Sequence, residues 1–254
     1  MPVTIEPIPA FNDNYIWLIH NELGQAFVVD PGDPKPVLDT LAAKALTLCG
    51  ILITHHHPDH VGGVDTLKSA TSCRVFGPEN PNISGIDHHL SDADSVDVLG
   101  THFDVITVPG HTLDHIAYFG DNALFCGDTL FAGGCGRVFE GTFPMMRASL
   151  ERLRNLPAST RVYCAHEYTL ANLRFALAAE PDNQALMERD RQCQDLRAQN
   201  KPTVPSSLEI ERAINPFLRW DQPSIQKQLE AAGRLSSDDA DATFAALRSW
   251  KDTF

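Results

Sequence analysis

Four of the chain's 11 histidines fall within six positions, in the stretch Thr54-His55-His56-His57-Pro58-Asp59-His60. In an extended segment alternate side chains point the same way, so His55 and His57 converge while His56 faces elsewhere. Pro58 biases His57 toward an extended conformation and turns the chain, which brings Asp59 and His60 back toward the same point. Three imidazoles and a carboxylate gathered in this way call for a divalent cation. Three further candidate ligands each follow a short apolar, β-branched run: His111 after Pro109-Gly110, Asp128 after Gly127, and His166 after Ala165. His55, His57, Asp59, His60, His111, Asp128 and His166 make seven protein ligands, more than the roughly four that one zinc ion takes. If Asp128 bridges, they supply eight bonds, four to each of two ions. That ligand count suits a two-metal hydrolytic centre.

The elements that must place these side chains read as short strands in the first half: Val3–Ile8, Tyr15–His20, Ala26–Asp30 and Cys49–Ile53, then Ser95–Leu99, Phe103–Val108, His115–Phe119, Ala123–Cys126 and Arg161–Cys164. Asp33-Pro34 opens a helix, with Asp33 as N-cap and Pro34 at its first position. A helix is expected over Pro144–Leu156, and from Leu170 onward the period is helical throughout: Leu170–Glu180, Gln184–Gln199 after an Asn183 cap, and a final pair near Ser224–Ala232 and Asp238–Asp252. The chain accordingly divides near residue 170 into an α/β catalytic domain, 1–170, and a helical domain, 171–254.

Composition narrows the function. The 254 residues carry 33 acidic and 20 basic side chains, a formal net charge of −13. That surplus opposes binding to a phosphate backbone, so no nucleic-acid partner is expected. No apolar run approaches the roughly 20 residues of a membrane span, and Met1–Ala10, broken by Pro2, Pro7 and Pro9, does not read as a secretion leader. Six widely spaced cysteines without a C-x-x-C pair fit reduced thiols and a cytoplasmic setting. No long exposed apolar stripe argues for an obligate dimer, so a monomer is expected. His20, His88, His89 and His102 read as structural.

The metal motif resembles that of the metallo-β-lactamase superfamily. Ile8-Pro-Ala-Phe-Asn-Asp-Asn-Tyr15, Val29-Asp-Pro-Gly-Asp33, Phe125-Cys-Gly-Asp-Thr-Leu-Phe131, Gly133-Gly-Cys-Gly-Arg137, Glu140-Gly-Thr142, His166-Glu-Tyr-Thr169 and Leu247-Arg-Ser-Trp-Lys-Asp-Thr-Phe254 are similar to the glyoxalase II (hydroxyacylglutathione hydrolase) family over essentially the whole chain. The resemblance implies a four-layer αβ/βα sandwich with a C-terminal α-helical domain. It also implies hydrolysis of S-(2-hydroxyacyl)glutathione thioesters, such as S-D-lactoylglutathione, to glutathione and D-lactate, the second step of methylglyoxal detoxification.

By the same resemblance one ion takes His55, His57 and His111, the other Asp59, His60 and His166, and Asp128 bridges. Asp59 would orient the metal-bound hydroxide, and the glutathione thioester would be held by Arg137, Phe139, Tyr168, Arg248 and Lys251. Phe139 stands where the family usually has tyrosine, and Asp114 where relatives often have glycine. Imidazole and carboxylate ligands without thiolate suit zinc, iron and manganese alike, and zinc is the metal expected. The thiol leaving group, with a pKa near ~8.5, needs no strong general acid. Cys135 as a covalent nucleophile, a mononuclear iron dioxygenase and a non-catalytic metal-binding module are the rival readings. An assay of the thioester with and without chelator separates them.

Overall fold

The computed structural model describes residues 3–235 and 237–254; Met1 and Pro2, part of the stretch read against a leader, lie outside them. The chain forms two compact units, Met1–Thr107 with Asp114–Gly127, and Val108–Leu113 with Asp128–Phe254.

The first unit opens with an antiparallel hairpin of β1 (Thr4–Ala10) and β2 (Asn14–His20), and β2 pairs antiparallel with β3 (Gln25–Val29). Helix α1 (Pro34–Lys44) then crosses over to β4 (Thr47–Leu52), which is parallel to β3. Asp33 caps α1 by accepting from the Lys35 amide (2.9 Å), and Pro34, whose ring presets a helical φ, occupies its first turn. Its Val37 and Leu41, one helical turn apart, are buried in a core with Ile16, Leu18, Val28, Ile51 and Ile53. A short helix α2 (Pro58–Val61) and α3 (Val64–Thr71) lead to β5 (Arg74–Pro78) and β6 (His88–Leu90), both added in parallel.

The order in this sheet is β1-β2-β3-β4-β5-β6, so the ligand-bearing loop leaves the end of a central strand flanked on both sides. Four antiparallel strands follow: β7 (Ser95–Val98), β8 (Thr101–Thr107), β9 (Ile116–Gly120) and β10 (Ala123–Gly127). Buried Tyr118 of β9 donates its hydroxyl to the Ile53 carbonyl (2.7 Å), and the Ile116 amide donates to the Thr54 carbonyl (2.9 Å). Desolvation holds the Tyr118 phenol well above its ordinary pKa, which keeps it a donor.

The second unit contains the hairpin β11 (Leu130–Phe131) and β12 (Gly134–Cys135), helix α4 (Phe143–Arg154) and strand β13 (Arg161–Cys164). Helices α5 (Thr169–Ala179) and α6 (Gln184–Ala198) follow, then β14 (Ser206–Ser207), antiparallel to β13, and α7 (Leu208–Ile214), α8 (Pro223–Ala231) and α9 (Ala240–Asp252). Asn183 caps α6 as its sequence context suggests, accepting from the Leu186 amide (3.1 Å). An aromatic set built on Phe175, Phe217, Phe244, Trp250 and Phe254 fills this unit, each ring meeting another edge-on or stacked with centroids 5.3–6.4 Å apart.

Every element expected from the sequence is present to within two or three residues, α3, β5, β6, β11, β12, β14 and α7 are found in addition, and the ligand loop differs locally. Pro58 does not simply turn the chain. It starts α2, with His57 as N-cap, so Asp59 and His60 arrive on a helical turn.

Candidate metal centre

In the first unit the ligand-type side chains are held by residues at the neighbouring strand ends. Asp30, just past β3 and in the left-handed region (φ 52°), is buried. Its Oδ1 accepts from the Thr54 amide (2.7 Å) and its Oδ2 from the Thr54 hydroxyl (2.6 Å). A carboxylate can only accept, so His60 Nδ1 donates to Asp30 Oδ2 (3.0 Å) and its lone pair sits on Nε2.

Thr54 has spent its one proton on Asp30, so His55 Nδ1 donates to Thr54 Oγ1 (3.0 Å) and His55 too carries its lone pair on Nε2. That atom lies 3.1 Å from His57 Nδ1, and His60 Nε2 lies 3.4 Å from Asp59 Oδ2. Asn14 donates to Asp59 Oδ2 (3.0 Å), and His115 stacks on His55 (4.5 Å, 13°). Gly32 is required here, because a Cβ at that position would overlap the Asp59 carbonyl. His56 turns away and pairs through Nδ1 with Asp114 Oδ1 (3.0 Å), whose other oxygen accepts from Asn80 (2.8 Å).

In the second unit Asp128 lies between two histidines. Its Oδ2 is 3.4 Å from His111 Nε2 and its Oδ1 is 3.3 Å from His166 Nε2. His111 Nδ1 donates to the Arg137 carbonyl (2.7 Å), so Nε2 carries the lone pair. Tyr168 stacks flat on His166 (4.6 Å, 4°), and Phe139, 62% exposed, sets its ring 5.3 Å from that of His111.

These distances fit a metal. Two ligand atoms on a tetrahedral ion with bonds of about 2.0–2.1 Å are separated by about 3.3 Å. All four ligand pairs fall at 3.1–3.4 Å. Each histidine whose other ring nitrogen has just been traced donates it to a protein oxygen, the arrangement that fixes tautomer and ring orientation in metal sites. Each unit on its own therefore carries a His/Asp cluster compatible with metal binding.

The remaining candidates lie near the end of α9 and after β12. Arg248 is 3% exposed and donates to the Cys135 carbonyl (3.0 Å) and to Asp252 Oδ1 (3.0 Å), which Arg137 Nε also approaches (3.3 Å). Lys251 lies over the Phe175 ring (5.2 Å), and its ammonium is pushed down to about 8, by burial first and then by Arg248. Cys135 is buried, and burial pushes its thiol up although Arg248 beside it acts in the opposite sense, so it is poorly suited to act as a nucleophile at neutral pH. None of the cysteines is in a disulfide; Cys164 and Cys193 are likewise pushed up by burial, to about 12 and about 11.

Asp30, Asn14 and His115 were not singled out as functional from sequence. The signal for Asp30 was present: Asp-Pro-Gly directly after a strand repeats the setting of the other ligand-type residues.

Comparison with known proteins decides the family. Residues 10–96 and 80–166 match the Metallo-beta-lactamase superfamily model, and 167–254 match the model described as Hydroxyacylglutathione hydrolase C-terminus. A hydroxyacylglutathione hydrolase of Photobacterium profundum is 53% identical over 253 residues, spanning 99% of this chain and 100% of that one. The chain belongs to the hydroxyacylglutathione hydrolase family. The hydroxyacylglutathione hydrolase of Pseudomonas fluorescens is also 53% identical, over 255 residues, with 99% and 100% coverage.

Among solved structures, ETHE1 from Myxococcus xanthus superposes with a TM-score of 0.66 at 25% identity, covering 100% of this chain and 99% of that one. The BLEG-1 B3 metallo-beta-lactamase gives 0.64 at 23% identity, covering 85% and 99%. The fold is that of the metallo-β-lactamases, an α/β architecture with a C-terminal helical region. As a family member the chain is a metallohydrolase.

Proposed function

We propose that the chain holds a dinuclear metal centre that hydrolyses S-(2-hydroxyacyl)glutathione thioesters, with S-D-lactoylglutathione as the representative substrate. One observation carries the nuclearity: Asp128 offers a different carboxylate oxygen to each of two histidines, as a bridging ligand must. His55, His57 and His111 would hold one ion and Asp59, His60 and His166 the other. Bound there, divalent ions supply a nucleophile at neutral pH by lowering the pKa of water, and a Lewis acid for the thioester carbonyl.

The chain's own side chains do the rest. Asp59, which accepts from Asn14, would accept a hydrogen bond from the attacking oxygen and so orient it. Glutathione brings two carboxylates, and Arg137 and Lys251 would meet them, with buried Arg248 adding positive charge. Tyr168 and Phe139 offer exposed ring faces for the peptide and acyl portions. The phenyl ring of Phe139 lacks the hydroxyl usual at its position, so it contributes apolar contact only. The departing thiol leaves as thiolate, which explains why no unligated acid is needed. Residues 171–254 are assigned to substrate binding and 1–170 to catalysis.

Zinc is our choice of native metal, because the ligands are imidazole and carboxylate and the 3.1–3.4 Å spacings suit tetrahedral sites. We further propose a cytoplasmic monomer. The free cysteines agree with a reducing compartment, and no helix among the described residues is long and apolar enough to cross a membrane.

The test pairs hydrolysis of S-D-lactoylglutathione, before and after chelator treatment, with metal quantification on the same sample. Two ions per chain and chelator-sensitive turnover are expected. Full activity with one ion would overturn the dinuclear reading, and no turnover with both bound would overturn the substrate.

A further inference from the structure

The second unit buries a carboxylate that the proposed reaction does not use. Glu211 of α7 is 0% exposed, and burial raises its pKa. Three donors converge on it: the Gly133 amide (2.8 Å) and Asn215 Nδ2 (3.0 Å) on Oε2, and the Ser206 hydroxyl (2.5 Å) on Oε1. Asn215 Nδ2 also faces the carbonyls of Phe131 (3.1 Å) and Gly134 (2.9 Å), and Asn172 of α5 donates to that of Ala132 (3.1 Å). Four consecutive residues at the turn of the β11–β12 hairpin are thus each tied by a main-chain polar atom to a side chain of α5, of α7 or of Asn215, which caps α7. The tie is close-fitting as well as polar, since a Cβ at Gly134 would strike the Asn172 amide.

This hairpin lies in sequence between Asp128 and Arg137. Its base is closed by the Gly136 amide donating to the Thr129 carbonyl (3.3 Å). Gly136 itself is pressed so closely against the Asp128 carbonyl that a Cβ would overlap it, and that Cβ would also come within 3.1 Å of His111 Nδ1. One residue on, the Arg137 carbonyl accepts from the same Nδ1. Anything that shifts the hairpin shifts the backbone of one ligand and the acceptor that orients another.

We propose that Glu211 is a positioning residue for the metal centre, holding the β11–β12 hairpin so that Asp128 and His111 keep their ligand geometry. The proposal rests on the dinuclear reading above. The alternative is that Glu211 only stabilises the fold: orphaning the buried Gly133 amide costs stability whatever the site does. The two differ in what glutamine and leucine do at this position. Glutamine can accept from Gly133 and Asn215 through its oxygen and donate its amide to the Ser206 hydroxyl, which has lone pairs to offer. Leucine fills the volume and accepts nothing.

The experiment measures zinc(II) affinity of the full-length protein by competition with a chelating indicator, together with thioester turnover, well below each variant's melting temperature. Glu211→Gln is expected within about threefold of wild type in both. Glu211→Leu is expected to weaken zinc binding about 10–100-fold, the range seen when groups supporting metal ligands are lost. Should Glu211→Leu fail to fold, Asn172→Leu removes only the bond to the Ala132 carbonyl and is expected to weaken zinc binding about threefold to tenfold. Wild-type zinc affinity in a folded Glu211→Leu protein, or in Asn172→Leu where Glu211→Leu does not fold, would overturn the proposal. So would equal losses in Glu211→Gln and Glu211→Leu. A wild-type protein that binds two zinc ions yet leaves the thioester intact would sink the substrate assignment, while the zinc-affinity comparison would still decide the role of Glu211.

Discussion

The two compact units arrive at similar chemistry by opposite routes. The first takes all its ligand-type residues from one heptapeptide, 54–60, and braces them with a side chain, Asp30, that grips Thr54 and His60 together. The second takes His111, Asp128 and His166 from three separate loops and braces His111 with a main-chain carbonyl, that of Arg137. A side-chain brace can be removed by one substitution. A carbonyl brace can only be displaced, by disturbing whatever holds its loop. The first cluster is therefore vulnerable at a point, and the second through its scaffold.

The largest effect is expected where the second cluster has its one irreplaceable side chain. Asp128→Ala should lower kcat at least ~10³-fold, about 4 kcal/mol of barrier, and reduce the metal count from two toward one; two tightly held ions with near-normal turnover would show that Asp128 does not bridge. Next comes the point vulnerability of the first cluster. Asp30→Asn places an amide donor against the Thr54 and His60 donors and should weaken zinc binding about 10–100-fold, measurable by chelator competition. If the loss is no greater than for Asn172→Leu, the contrast between the two braces fails.

A pH profile gives a smaller effect. Burial first, and then the neighbouring charge of Arg248, lowers the pKa of the Lys251 ammonium to about 8. Its charge is present below that value and lost above it, so KM for the glutathione thioester should rise about threefold to tenfold as pH passes upward through about 8. Lys251→Arg, charged throughout, should flatten the rise. The smallest change is expected at Asp114, which holds His56 rather than a ligand: Asp114→Gly should alter kcat by no more than about threefold, and a loss as large as that of Asp30→Asn would mean that the loop depends on His56 as a second brace.

Legibility in the sequence follows the same division. Residues 54–60 could be read directly, because the convergence of His55 and His57 is a property of extended backbone and their neighbours are consecutive. His111, Asp128 and His166 were legible only as repeated strand-end settings, since nothing local says which strand tips meet. Asp30 and Asn14 escaped as functional residues because their roles exist only once β3 lies beside β4 and β2 beside β3. Two parallel strands, β5 and β6, and the seven-residue α7 were not anticipated. The strands are only five and three residues long, too short to show a period, and α7 follows a proline-containing stretch with too few turns to declare one. Glu211 lies on α7, so its place beneath the β11–β12 hairpin was hidden from the sequence as well.

The burial of the cysteines has a consequence for life beside the product. Hydrolysis of a glutathione thioester releases a thiol, and in oxidising conditions that thiol circulates as a disulfide able to exchange with protein sulfur. Exchange requires an accessible thiolate. Cys73, Cys126, Cys135, Cys164 and Cys193 are buried, and in Cys73, Cys135, Cys164 and Cys193 burial also drives the thiol pKa upward. Only Cys49 is partly exposed. The fold thus keeps five of its six thiols out of the redox traffic that its reaction feeds, and leaves only Cys49, on a strand of the first sheet, within reach of solvent.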